Sequence, residues 1–176
     1  MRGLATFVVL IALANAASAS DAHELPSRVR AFVSDARLQG SGVLRFLGVP
    51  VYDAYYWSPQ RTYSPALPFA LELRYWRDLE GRRIAQRSID EIAALGYGSA
   101  EERERWTREM TRLFPDVRRG DRLIGVNVPQ KGARFFYNDE PIGAIDDPAF
   151  TRAFFGIWFD RETSRPDLRR QLLGER

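Results

Sequence analysis

Few residues in this chain could do chemistry, and the list of what is missing is informative. Among 176 residues there is no cysteine, one histidine (His23), one lysine (Lys131) and 25 arginines. Without cysteine there is no thiolate nucleophile, no disulfide framework and no Cys-ligated zinc or iron–sulfur cluster. One histidine cannot supply the imidazoles of a catalytic metal, and from the N-terminal stretch it cannot complete a Ser-His-Asp triad. No metal and no cofactor is therefore expected. Nucleotide signatures of the G-x-x-x-x-G-K-[ST] or G-x-G-x-x-G type are absent, as is a G-x-S-x-G elbow. The arginines are interleaved with 23 acids and never run longer than pairs such as Arg82-Arg83. Nothing resembles a phosphate-tracking stripe, so no nucleic-acid partner is expected. The acid pairs Asp90-Glu91, Glu101-Glu102 and Asp146-Asp147 fall at helix starts or on exposed helix faces, where they cap and solvate.

The informative region is Leu38 to Trp57. Arg45 stands among Val43, Leu44, Phe46 and Leu47. A guanidinium in such surroundings needs an anionic partner or a route to water. Tyr52, Tyr55 and Tyr56 follow closely. An arginine and a tyrosine projecting into an apolar cavity make a carboxylate clamp, bidentate from the arginine and single from the tyrosine. The plain alternative puts Arg45 at a turn, pointing outward.

The elements that would position these residues read as follows. Residues 36–46 form a first extended segment with a Gly40-Ser41-Gly42 break. Val49 to Trp57 is β-branched and aromatic on both alternations, a strand covered on both faces. Phe69 to Trp76 alternates, with Phe69, Leu71, Leu73 and Tyr75 inward and Glu72 and Arg74 outward, as in a half-buried antiparallel strand. Ala85, Ile89, Ile92 and Ala93 form one helical stripe; Trp106, Met110, Leu113 and Phe114 form another, opened by the capping-box pattern Ser99 to Glu102. Strands are expected at 122–128, 133–137 and 142–145, with a hairpin tip at Asn138-Asp139. Asp147-Pro148 opens a helix that buries Phe150, Phe154, Ile157 and Trp158. A last short helix runs from about Pro166 to Leu173, and Gly174 stops it. Strands cluster and helices cluster, which points to an α+β fold with an antiparallel sheet and helices on one side.

The N-terminal segment stands apart. Met1-Arg2-Gly3 is a short basic start, Leu4 to Ala14 is an apolar run, and Ala17-Ser18-Ala19 fits an A-x-A cleavage site. That order is a secretory signal peptide, too short for a membrane span of roughly 20 residues. Residues 1–19 are thus expected to be removed and the protein to be periplasmic or secreted, with no stable membrane span afterwards. Residues 20–35 read as a tail and lead-in, with His23 in the tail. The domain proper is expected at 36–174.

The stretch Gly40-Ser41-Gly42-Val43, Arg45, then Val49 to Ala54 and Tyr56 resembles the N-terminal strands of the chalcone isomerase fold. Further segments resemble the bacterial chalcone isomerase-like domain family. These are Ala85 to Ile92, Leu113 to Val117 with Gly120 to Leu123, Arg134 to Asn138, Gly143 to Ile145, Phe154 to Trp158, and Thr163 to Arg169. The resemblance covers about residues 36–174. It implies an open-faced β-sandwich, a large antiparallel sheet with helices layered on one face. It also implies one of two activities. Isomerases of the fold close a flavanone ring, with an Arg on the developing oxyanion and a Tyr and a Lys acting through water. Plant fatty-acid-binding relatives hold a carboxylate with Arg and Tyr. Arg45 fits the Arg role and Tyr52 the fatty-acid binders' Tyr. The isomerases' catalytic helix reads here Ala85, Ser88 and Ile92, and Lys131 does not match their Lys. The expectation is an exported, non-catalytic binder of a fatty acid or similar hydrophobic carboxylate. The alternatives are an isomerase acting on an unsaturated carbonyl compound and a periplasmic scaffold without a ligand.

Overall fold

The computed structural model describes residues 24–175. His23 and the expected signal peptide lie outside them. Six strands form one sheet in sequence order, every neighbouring pair antiparallel. They are β1 (Arg37–Phe46), β2 (Val49–Ser58), β3 (Phe69–Tyr75), β4 (Arg122–Val128), β5 (Gly132–Tyr137) and β6 (Glu140–Ile145). A one-turn helix α1 (Ser27–Arg30) precedes them. Helices α2 (Gly81–Ala94) and α3 (Ala100–Leu113) are inserted between β3 and β4, and α4 (Pro148–Phe159) and α5 (Pro166–Leu173) follow β6.

Local chemistry sets the boundaries. Ser99 caps α3 in a reciprocal capping box with Glu102. Asp147 accepts from the Ala149 and Phe150 amides at the start of α4, with Pro148 in the first turn. Gly174 ends α5 in the left-handed conformation. The excursion between β3 and β4 is closed at its base by Leu79 and Val117, whose backbones exchange two hydrogen bonds of 3.0 and 2.9 Å. Asp116 caps α2 there by accepting from the Gly81 amide at 2.8 Å.

Four helices cover one sheet face. Sheet residues such as Tyr56, Phe69, Leu71 and Phe135 meet Ile92, Trp106, Met110, Phe150 and Leu172 from the helices, all at most 3% exposed. Three sequence expectations are corrected. First, β1 runs unbroken through Gly40-Ser41-Gly42, with an irregularity in its pairing with β2 between Leu38 and Gly40. The glycines are there because α5 lies directly on the strand; a Cβ on Gly40 would collide with the Gln171 and Leu172 carbonyls. Second, residues 24–35 are more than a lead-in. Leu25, Val29 and Val33 are buried against Trp57, Ala70, Ile124, Val126 and Phe136 on the opposite sheet face. Third, β3 is buried on both faces rather than one. Glu72 is 0% exposed, 3.5 Å from the Arg74 guanidinium and 3.4 Å from that of Arg122. A buried carboxylate must be paired, and it is.

Candidate functional site

Between the sheet and its helices the core is hollow. A cavity of about 490 Å³ opens there, within the range of small-molecule sites and far beyond the voids of a close-packed interior. Its floor is Leu44, Tyr52, Leu71, Leu73 and Tyr75 from β1–β3 and Leu123 from β4. Its roof is Ile84 and Ser88 of α2, Phe154, Phe155 and Trp158 of α4, and Leu168 of α5. Gly125 lies beneath Phe155, whose ring is so close that a Cβ would come within 3.2 Å of it.

Polar groups enter at two places. Inside, the Tyr52 hydroxyl accepts a hydrogen bond from Trp158 Nε1 at 3.0 Å, which leaves its own proton free to donate. Tyr75 packs edge-on against Tyr52, ring centres 5.9 Å apart. It is 3% exposed, and its hydroxyl makes no hydrogen bond among the described residues. Burial pushes both phenols well above their ordinary range. For Tyr52 the Trp158 hydrogen bond and the charge of Arg165 pull the other way; for Tyr75 the neighbouring Tyr52 adds to the rise. Both therefore stay protonated donors across the physiological range.

At the rim stand Arg77, Arg83, Arg87 and Arg165, with Glu91 and Ser164. Arg87 pairs with Glu91 one helical turn away, and Glu91 also accepts from the Ser164 hydroxyl at 2.8 Å. Glu91 thus ties α2 to the loop before α5. Arg165 is different. It is half-buried, lines the cavity, acts electrostatically on Tyr52, and has no acidic partner or side-chain hydrogen bond among the described residues. A partly desolvated guanidinium beside an apolar cavity favours an anion there.

Tyr52 and Arg45, expected as one clamp, are not brought together. Tyr52 lines the cavity and Arg45 does not. Arg45 is exposed near the β1–β2 turn and donates from Nη1 to the Gly48 carbonyl at 3.2 Å. Register explains this. Leu44 and Phe46 both reach the cavity, so Arg45 between them is directed away.

A sequence model described as chalcone isomerase-like matches residues 17–174. The chain belongs to the chalcone isomerase-like family. An uncharacterised protein of Haemophilus influenzae is 30% identical over 139 residues, spanning 72% of this chain and 68% of the relative. The crystal structure of an Arabidopsis thaliana fatty-acid binding protein superposes with a TM-score of 0.64 at 11% identity. The match covers 80% of this chain and 87% of that one. At that identity the likeness is one of fold. It agrees with the α+β fold expected from the sequence, an open antiparallel sheet layered with helices.

Within this chalcone isomerase-like chain, α2 offers no catalytic acid or base at the three positions singled out. Ala85 and Ile92 are 0% exposed core residues, and the Ser88 hydroxyl donates to the Ile84 carbonyl at 2.8 Å. Among the described residues no group of three or more His, Cys, Asp or Glu could hold a metal ion, and no helix is long and apolar enough to cross a membrane. The rim arginines were missed by sequence reasoning, though two signals were present. Arg83, Arg87 and Glu91 repeat at i, i+4, i+8 beside the apolar stripe. Arg165 stands at the N-cap of α5 without a side-chain cap bond, at the end where the helix dipole repels a cation.

Proposed function

We propose that the protein is exported, is cleaved after Ala19, and binds a fatty acid or similar hydrophobic carboxylate in this cavity. The observation that carries the proposal is Arg165, a half-buried cation at the edge of an apolar cavity with no ion pair among the described residues. The acyl chain lies along Leu71, Leu73, Phe154 and Phe155. The carboxylate meets Arg165 and Arg87, with Tyr52 as a neutral donor. The likeness of fold to a plant fatty-acid binding protein supports this reading.

Calorimetry on delipidated protein tests it. A long-chain fatty acid should bind. Arg165→Ala should weaken it roughly ten- to a hundredfold, the range for a charge-assisted hydrogen bond. The corresponding fatty alcohol should lose much less, and Arg45→Ala should leave both unchanged. Absence of binding, or equal losses for acid and alcohol, overturns the proposal. Intact mass of the exported chain checks the cleavage.

A second reading, isomerisation of an unsaturated carbonyl compound, is favoured by one feature. The Tyr75 hydroxyl, which lines the cavity wall and makes no hydrogen bond among the described residues, could donate to a substrate carbonyl. Turnover of a chalcone that is lost in Tyr75→Phe would establish it.

A further inference from the structure

Two hairpins of this sheet use the same kind of turn with opposite chemistry. Between β5 and β6 the loop residues are Asn138 and Asp139, with φ of 44° and 76°. Between β1 and β2 they are Leu47 and Gly48, with φ of 49° and 80°. Such two-residue turns need positive φ at both positions, which Asn, Asp and Gly tolerate and branched apolar residues resist. Asn138 and Asp139 obey that rule. Leu47 breaks it, and at 88% exposure it gains no burial in return. Folding does not account for Leu47. A residue that breaks a local rule without a compensating contact points to function.

Leu47 is not isolated. Phe46 and Val49, which flank the turn, are 55% and 52% exposed. Trp76 is 42% exposed, and its amide donates to the Val51 carbonyl at 2.9 Å, which holds it beside β2. Cations surround this apolar tip. Arg45 reaches the Gly48 carbonyl, Arg77 follows Trp76, and the Arg119 guanidinium lies 5.5 Å from the Trp76 ring centre. Asp78, which accepts from the Arg119 amide, Asp121, which accepts from the Arg118 amide, and Asp53 of β2 are acids of these segments. Phe46 and Arg77 also line the cavity, so the tip stands at its mouth.

We propose that the β1–β2 tip docks on an anionic lipid bilayer, with Phe46, Leu47 and Val49 in the headgroup–acyl boundary and Arg45, Arg77 and Arg119 on lipid phosphates. Apolar anchors ringed by arginine, with a tryptophan at the level of the headgroups, are the composition that such a surface selects. A second copy of the chain fits less well, because tip-to-tip contact sets these arginines against their equivalents. The docking rests on the surface alone. Its use as a route between bilayer and cavity rests on the cavity being a site for a lipid-like acid.

Co-sedimentation with vesicles tests it, using protein purified from its own cells. The wild type should bind vesicles of equal parts phosphatidylcholine and phosphatidylglycerol, and bind vesicles of phosphatidylcholine alone much more weakly. Leu47→Asn suits the turn and so retains the fold. It should lower affinity for the anionic vesicles by about tenfold or more. Arg45→Gln should lower it about fivefold and reduce its sensitivity to salt. Both variants should keep the wild-type affinity for fatty acid in solution. Equal binding of wild type and Leu47→Asn overturns the docking. So does a wild-type dimer that Leu47→Asn dissolves, which would make the tip an interface between copies. Vesicle binding that persists when fatty acid does not bind in solution would remove the cavity proposal alone.

Discussion

Trp106 packs from α3 onto the N-terminal end of α4 and Trp158 stands near its C-terminal end; they look alike in sequence, and the structure gives them different work. At the N-terminal end, Trp106 of α3 is 1% exposed, lies edge-on to Phe150, and donates from Nε1 to Asp147 at 2.8 Å. Phe150 stacks on Phe154, and Phe135 closes against both. That end is filled with rings. At the C-terminal end, Trp158 is 6% exposed and also has an indole hydrogen bond, but its partner is Tyr52 in the wall of a cavity. The same apolar helical stripe thus serves as core at one end and as the lining of a cavity at the other. The difference comes from what faces it. Trp106 and Met110 of α3 pack the first end. The second faces α2 and the start of α5, which bring Arg83, Arg87, Ser88, Ser164 and Arg165 to the cavity rather than rings.

The largest expected effect tests the filled end. Trp106→Ala should cost about 3–5 kcal/mol in urea melts, because it opens a void and removes one of the hydrogen bonds to Asp147. A loss under about 1 kcal/mol would show that this end is not close-packed. Trp158→Ala should cost less, about 1–2 kcal/mol, since it enlarges a space that is already hollow. Its clearer signature should be altered fatty-acid affinity. Equal stability losses at the two tryptophans would erase the comparison.

Asp147 sharpens it further. Burial acts to raise its pKa, but hydrogen bonds from Trp106, the Phe150 amide, Arg105 and the Ala149 amide outweigh this and hold the carboxyl below the usual carboxylate range. A group depressed in the folded state contributes stability above its unfolded pKa and loses it as pH falls through the folded value. Asp147→Ala should therefore cost about 1–2 kcal/mol at neutral pH. The gap between wild type and variant should narrow below about pH 4. A pH-independent gap would mean that the carboxylate charge contributes nothing there. The smallest effect is expected at the hollow end. Tyr52→Phe removes one acceptor from Trp158 and should shift stability by about 1 kcal/mol or less. Its weakening of fatty-acid binding should be smaller than that of Arg165→Ala.

Much of the frame was legible before the structure. The capping box at Ser99 and Glu102, the Asp147-Pro148 start, the Gly174 stop and the Asn138-Asp139 turn are local signals read within a few residues, and each stands where expected. What sequence reasoning misplaced depends on distant partners. The glycines of β1 looked like a break because α5, which requires them, lies about 130 residues away in sequence. Glu72 looked solvent-facing because alternation describes one strand and cannot show what covers its outer face.

The candidate site divides the same way. By itself the sequence determined that this is an α+β chain with an antiparallel sheet, without cysteine and with a single histidine. It pointed to Tyr52 through the resemblance to the fatty-acid-binding relatives of the fold. It did not determine which arginine joins Tyr52. Leu44 pairs with Tyr52 and both line the cavity, so Arg45, the next residue of β1, points to the other face. Only the packing of α2 and α5 over the sheet brought Arg87 and Arg165, far apart in the chain, to the rim beside Tyr52.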